Sequence, residues 1–257
     1  LKRFSKDNEM NYDLLIDLHK GNKRQGPGGD EQTKQAMQLA GLINSSQALK
    51  IADIGCGTGV STLVLADHLN ATITAVDLFQ DFLDVLSGDA DKNGVADKIK
   101  TLAVSMEELP FEEASLDVIW TEGAIYNMGF AKGVEYFKRF LKPDGILAAS
   151  EITWLTNDRP SEIQKHWDAE YPEIATASDK IKILEKQGFV LKGYFPLPES
   201  SWTENYYAPL ENSFDGFIAK HDSDDARTIV EAEKAEIDLY KKYKDYYSYG
   251  FYIAQKI

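Results

Sequence analysis

Residues 51–66, IADIGCGTGVSTLVLA, set Gly55, Gly57 and Gly59 at alternate positions between a short apolar run and a helix-forming one. Glycine at such a junction permits a sharp turn and a close ligand approach that a Cβ would obstruct. The chemistry this suggests is nucleotide binding; a tight turn with no ligand is the plainer alternative. Spacing separates the nucleotide types. A dinucleotide loop reads G-x-G-x-x-G, and counting from Gly55 and Gly57 its third glycine falls on Val60. A P-loop needs Gly-Lys-Ser/Thr, and none follows. Both phosphate-cradling readings therefore lose. Asp53 precedes the loop by two residues, and Asp77 closes the next strand-like run, 18 residues beyond Gly59. A carboxylate at that strand end can accept hydrogen bonds from both ribose hydroxyls.

DIGCGTG (53–59) resembles the first motif of class I S-adenosylmethionine-dependent methyltransferases, and AVDL with Asp77 resembles their second. VSMEELPF (104–111) resembles the family's segment flanking adenine, with Ser105 standing where many relatives carry Asp. LKPDGILAASE (141–151) resembles the family's turn into the fifth strand. The resemblance implies S-adenosylmethionine as cofactor and S-adenosylhomocysteine as product. It implies cofactor contacts from Asp53, Gly55, Cys56, Gly57, Gly59, Asp77, Leu78, Ser105, Met106 and Glu107, with Met106 on the adenine face.

Methyl transfer from a sulfonium is an in-line displacement, and orienting the two reactants can supply roughly 7–11 kcal/mol of barrier reduction. A general base matters only where the accepting atom keeps its proton. TEGAIYNMGF (121–130) follows the fourth strand and should border the transferable methyl, with Glu122, Tyr126 and Asn127 as polar candidates. Tyr126 is expected as a positioning hydroxyl or aromatic wall. Glu122 is expected as a base or positioning group that also touches cofactor, or as a structural acceptor. Trp154, Trp202, Tyr206 and Tyr207, with His166 and Trp167, could wall a pocket for an apolar or cationic acceptor, or belong to the core. His19, His68, His166, His221 and the lone Cys56 lack metal-ligand spacing, so no metal is expected. His19 and His166 remain candidate bases, and His68 is expected on the outer part of its helix.

RQGPGGDEQTKQAM (24–37) also runs from glycines into a helix, but it precedes every strand. In the resembled family the segment ahead of the first motif commonly lies over the methionine end of the cofactor. Gly28 and Gly29 would then allow close backbone approach, and Arg24 could pair with the methionine carboxylate. Asp30 would cap a helix offering amide donors, with Gln32 or Thr33 facing the acceptor. A turn capping an ordinary helix is the alternative. That helix should run to about Leu42 and bury Ala36, Met37 and Ala40.

These groups must be held by an alternation of strands and helices. Apolar runs at 49–55, 71–78, 99–105, 116–123 and 145–154 alternate with helical stretches at 59–69, 80–94 and 132–141. Residues 9–19 have helical spacing, with Tyr12, Leu15, Ile16 and His19 on one face. Such alternation predicts an α/β, doubly wound, Rossmann-like sandwich. With 189–197 and 249–257 the mostly parallel sheet has seven strands, the last antiparallel beside the sixth as the resemblance implies. A single domain is expected: a lid segment at 1–45, a cofactor core at 46–155, and helical insertions at 156–178 and 200–246 forming a cap.

The formal charge is −14, from 42 acidic and 28 basic residues, which argues against a nucleic-acid partner and for a small-molecule substrate. No apolar run reaches the roughly 18–20 residues of a membrane span. The first residues, LKRFSKDNEMNYDLL, are polar and charged, and a cytoplasmic location is expected. Two other readings stay open: a cofactor-binding sensor or partner subunit without transfer activity, and a nicotinamide-dependent oxidoreductase.

Overall fold

The computed structural model describes residues 12–43 and 45–257. Residues 9–11 of the expected first helix lie outside the described residues, and helix α1 spans Tyr12–His19. Helix α2, Asp30–Leu39, starts one residue earlier than expected, at the residue expected to cap it. Gly29 is the N-cap and Asp30 the first helical residue, where its carboxylate meets the positive end of the helix. Ala36, Met37 and Ala40 are buried as expected, and the helix ends three residues short of Leu42.

The alternating pattern then folds as β1 Leu49–Ile54, α3 Val60–His68, β2 Ala71–Asp77, α4 Gln80–Lys92, β3 Ile99–Ala103, β4 Leu116–Glu122, α5 Phe130–Lys138 and β5 Leu141–Trp154. Helix α6 (Ser161–Glu170), strand β6 (Ala175–Thr176), helix α7 (Ala177–Lys186) and β7 (Phe189–Pro196) follow. The chain closes with α8 Glu199–Trp202, α9 Ala208–His221, α10 Asp224–Tyr243 and β8 Tyr247–Lys256. The main sheet order is β3-β2-β1-β4-β5-β8-β7, with β8 antiparallel to both β5 and β7. The two-residue β6 pairs with β5, so the sheet has eight strands instead of the expected seven.

Central strands are apolar on both faces because helices cover both. Along β4, Val118 and Trp120 join a core cluster with α1, α2 and the late helices, while Ile119 between them joins the opposite cluster with α5 and α7. That alternation is the two-residue period of a strand. Each large side chain so buried contributes about 1.5–3 kcal/mol.

The site is positioned by the strand order. Strand β1 lies between β2 and β4, and the chain winds outward from it in both directions. The loops leaving β1 and β4 therefore diverge, opening a crevice at the carboxyl end of the sheet. Over it lies a continuous helical run made of α8, a wide π-turn at Thr203–Tyr207, and α9. A π-turn accommodates one more residue than an α-turn, and here the consecutive Tyr206 and Tyr207 are both buried.

Candidate active site

Gly55, Gly57 and Gly59 all have left-handed φ values, +71°, +56° and +82°. Space is as short as torsion is special. A Cβ on Gly55 would lie 2.3 Å from Ala124 Cβ, and one on Gly59, the N-cap of α3, 2.2 Å from Leu86 Cδ1. Asp77 fixes the loop from the neighbouring strand: one carboxylate oxygen accepts from the Gly57 amide (2.9 Å) and the other from the Phe79 amide (3.0 Å). Burial nevertheless outweighs these bonds and raises its carboxyl above the usual range. Each oxygen retains a lone pair for a further donor.

The loop opens into a cavity of about 260 Å³. Gly55, Cys56, Gly57, Asp77 and Leu78 line it, with Ser105, Met106 and Glu107 from the turn after β3. Ser105 shapes that turn, its Oγ accepting from the Glu107 amide (3.2 Å). Leu78 is 49% exposed, an apolar side chain left at the cavity rim. Burial, with Asp53 and Asp77 nearby, pushes the Cys56 thiol well up, so it stays neutral and is no nucleophile.

The segment between α1 and α2 closes another side of this cavity. Gln25 is its staple: its amide nitrogen donates to the His19 and Asn22 carbonyls and to Thr58 Oγ1, while its oxygen accepts from the Thr58 amide (2.9 Å). The Thr58 hydroxyl in turn donates to the Lys23 carbonyl (2.9 Å). Arg24 is bound by Glu122 (3.2 Å) and Asp30 (3.0 Å). Glu122 also accepts from Thr33 Oγ1 (2.7 Å) and Trp120 Nε1 (2.9 Å). Three donors hold this carboxylate, which makes it the anchor of Arg24 and α2 and poorly suited to act as a base. Two bonds to acids leave Arg24, which lines the cavity, with further N–H groups.

The far end of the cavity is aromatic and acidic. Tyr126, Asn127 and Met128 come from the turn after β4, Trp202 and Tyr206 from the cap, Tyr249 from β8, and Glu233 and Glu236 from α10. Leu15, Ile16 and His19 contribute a face of α1. His19 Nε2 lies 3.7 Å from Glu233, and its ring stacks on Tyr206. Burial raises the phenols of Tyr126, Tyr206 and Tyr249 far above their ordinary value, with carboxylates in this part of the fold adding to the rise. These hydroxyls stay protonated, so Tyr126 can donate a hydrogen bond and wall the cavity but cannot serve as a base.

Most expected site residues converge here, but Asp53, Gly59, Gly28, Gly29 and Trp154 do not, and neither do the further candidates Tyr207, His166, Trp167, Gln32 and Thr33. Asp53 is fully buried beneath the loop, accepting from Thr62 (2.6 Å) and Ser61 (3.2 Å), so it ties β1 to α3 and stays away from the cavity. Gly59 is taken up by packing on Leu86. Gly28 and Gly29 face protein, not cavity: the Gly28 amide donates to the Ser201 carbonyl, its carbonyl accepts from Asn205, and a Cβ there would meet Arg24. Trp154 packs under the Arg159 guanidinium and against Tyr247. No residue of 156–178 lines the cavity, so only the later insertion caps it. Trp167 packs on Tyr247, while Tyr171 buttresses Tyr126 from behind. Gln32 reaches back over Gly29, and Thr33 is committed to Glu122. His68 sits partly exposed in the last turn of α3, as expected.

Gln25, Thr58, Glu233, Glu236 and Tyr249 are absent from the sequence-based expectation. One of them carries a legible signal. On α10 the buried stripe Ala226, Ile229, Val230, Glu233, Ile237, Tyr240 follows helical spacing, so Glu233 is an acid on a core-facing line. Among the described residues no group of three His, Cys, Asp or Glu is placed to hold a metal ion. Nor is any described helix long and apolar enough to cross a membrane.

Residues 52–149 match the family model described as a methyltransferase domain. The chain is 27% identical over 148 residues to 27-O-demethylrifamycin SV methyltransferase of Amycolatopsis mediterranei, covering 54% of this chain and 54% of the relative. It is 31% identical over 133 residues to sarcosine/dimethylglycine N-methyltransferase of Aphanothece halophytica, covering 50% and 48%. The matched stretch thus spans about half the length of these curated relatives. Among solved structures it resembles a SAM-dependent methyltransferase from Geobacter sulfurreducens in complex with S-adenosyl-L-homocysteine. The TM-score is 0.81 at 16% identity, with 95% of this chain and 98% of that one covered.

Proposed function

We propose that this chain, whose residues 52–149 form a methyltransferase domain of the class I S-adenosylmethionine-dependent type, transfers a methyl group to a small-molecule acceptor. The observation that carries the reading is the left-handed glycine loop locked by Asp77 at the mouth of a walled cavity. The residues fit the cofactor. Asp77 keeps acceptor capacity for a ribose diol, Leu78 and Met106 offer apolar surface for adenine, and Arg24 keeps donors for the methionine carboxylate. The bound cofactor supplies an electrophilic methyl on a sulfonium.

The protein's own part is orientation and exclusion of water. Gln25 and Thr58 hold the α1–α2 segment on the glycine loop, and Glu122 holds Arg24 in the wall. Tyr126, Trp202 and Tyr206 shape the acceptor end, with the Tyr126 hydroxyl as a donor. A small acceptor suits a cavity of this size, and the rifamycin and sarcosine enzymes among the relatives are named for small substrates. A cytoplasmic setting is part of the same proposal.

Titration calorimetry with S-adenosylhomocysteine tests the proposal. Binding is expected in the wild-type chain, with a loss of at least tenfold in Asp77→Ala. No binding, or equal binding in the variant, would overturn it.

A further inference from the structure

Among the described residues, two buried side-chain atoms without a hydrogen-bond partner belong to groups that line the cavity: His19 Nδ1 and Asn127 Oδ1. Folded proteins seldom leave such atoms unmet, and in the wall of a ligand cavity the partner can come with the ligand. The amide oxygen of Asn127 can only share an incoming hydrogen, whereas an imidazole nitrogen can take it.

His19 ends helix α1 and is 7% exposed. Tyr206 stacks on its ring with the planes 19° apart, and Glu233 Oε1 stands 3.7 Å from Nε2. A carboxylate on that side favours the tautomer with its hydrogen on Nε2, which leaves the lone pair on Nδ1. The same carboxylate stabilises the imidazolium once Nδ1 has taken a proton, the arrangement by which an acid–imidazole pair serves as a base. The lid staple uses the backbone carbonyl of His19, which accepts from Gln25, and so leaves the ring without that structural duty.

A base is needed only by an acceptor that keeps its proton at working pH. Phenols release theirs at about pH 10, within reach of an imidazole, and aliphatic alcohols far above it. The walls suit the same choice. Trp202 and Tyr249, edge-on at 5.1 Å, line this end of the cavity with Tyr206, a setting for a planar ring.

Resting on the methyl-transfer reading, we propose that the acceptor is a phenol and that His19 is its general base. Nδ1 takes the hydroxyl proton as the phenol oxygen forms its bond to the methyl carbon. The S–C bond breaks with its electron pair staying on sulfur, so positive charge passes from sulfonium to imidazolium. The imidazolium then loses its proton to solvent. The products are an aryl methyl ether, the neutral thioether and one released proton.

Nitrogen-15 NMR of histidine-labelled protein saturated with S-adenosylhomocysteine reads the ring directly, with His19→Gln assigning its resonances. The Nε2–H tautomer is expected, with an Nδ1 resonance that p-cresol moves upfield and toluene leaves in place. The Nδ1–H tautomer, a p-cresol complex with Nδ1 unmoved, or no binding of p-cresol would overturn the inference. Turnover of a panel of phenols, alcohols and amines with S-adenosylmethionine gives a second readout. Phenols are expected to be methylated, and His19→Gln to be slower by roughly a hundredfold or more. Its S-adenosylhomocysteine affinity should stay unchanged, which also reports that the variant is folded. Thioether formed with no phenol, or undiminished in the variant, sinks the pairing of phenol and His19. Turnover of an amine or an alcohol instead leaves methyl transfer standing. Failure of S-adenosylhomocysteine to bind at all sinks both.

Discussion

At the scale of single residues, the two acids flanking the glycine loop have opposite fates. Asp77 opens on the cavity, whereas Asp53 is sealed below it. Both are acids near a strand end, so the sequence alone cannot separate them. Ser61 and Thr62, one helical turn beyond the loop, decide the matter by turning their hydroxyls back onto Asp53. Burial, only partly offset by those two donors, pushes the Asp53 carboxyl up to about 7. In the unfolded chain the same group ionises near pH 4. Between those values the folded state holds the extra proton, so this contribution to stability falls as pH rises. Asp53→Asn removes that dependence. Urea unfolding at pH 4 and pH 8 should show the wild-type chain losing on the order of 2–4 kcal/mol relative to the variant across that interval. A difference between the two proteins that stays flat with pH would contradict the assignment.

At the scale of elements, the segment joining α1 to α2, the proposed lid, is tied at three points. Gln25 ties it to the glycine loop, Arg24 to the end of β4, and Gly28 to the cap through Ser201 and Asn205. Its sequence advertises glycines before a helix and so suggests a lid, but not how the glycines serve it. Their value is clearance for side chains: a Cβ on Gly28 would lie 2.5 Å from Arg24 Nη1, and one on Gly29 would meet Gln32 and Asn205. Partners so distant in sequence leave no mark in the local pattern. Gly28→Val with Gly29→Val is therefore expected to dislodge Arg24 from Glu122 and weaken S-adenosylhomocysteine binding about tenfold, the scale of one charge-assisted hydrogen bond. Far-UV circular dichroism should stay unchanged, because the displaced atoms are side-chain ends. Undiminished affinity would return the segment to an ordinary helix entrance.

At the scale of the whole molecule, the doubly wound sheet was legible because strand and helix periods alternate cleanly from residue 49 to 154. The two-residue β6 was not, since so short a pairing has no period to read. The cap was legible as helices, and its wall only as one of two readings for each aromatic. Whether an aromatic faces core or cavity depends on packing between remote elements, and the same helical spacing places Trp202 on the cavity and Trp167 against Tyr247. The cavity thus joins three parts that the sequence keeps far apart: lid, glycine loop and cap. A ligand filling it should stabilise them together. At a hundred times its dissociation constant, S-adenosylhomocysteine adds about 2.7 kcal/mol, which for a chain of this size corresponds to a rise in Tm of roughly 5–10 °C. Hydrogen exchange localises the effect. Amides of residues 19–29, 54–59 and 199–207 should slow together on binding, while those of 156–178, which do not line the cavity, keep their rates. Slowing confined to 54–59 would mean that lid and cap close independently of the cofactor, and that the acceptor end is not built by its binding.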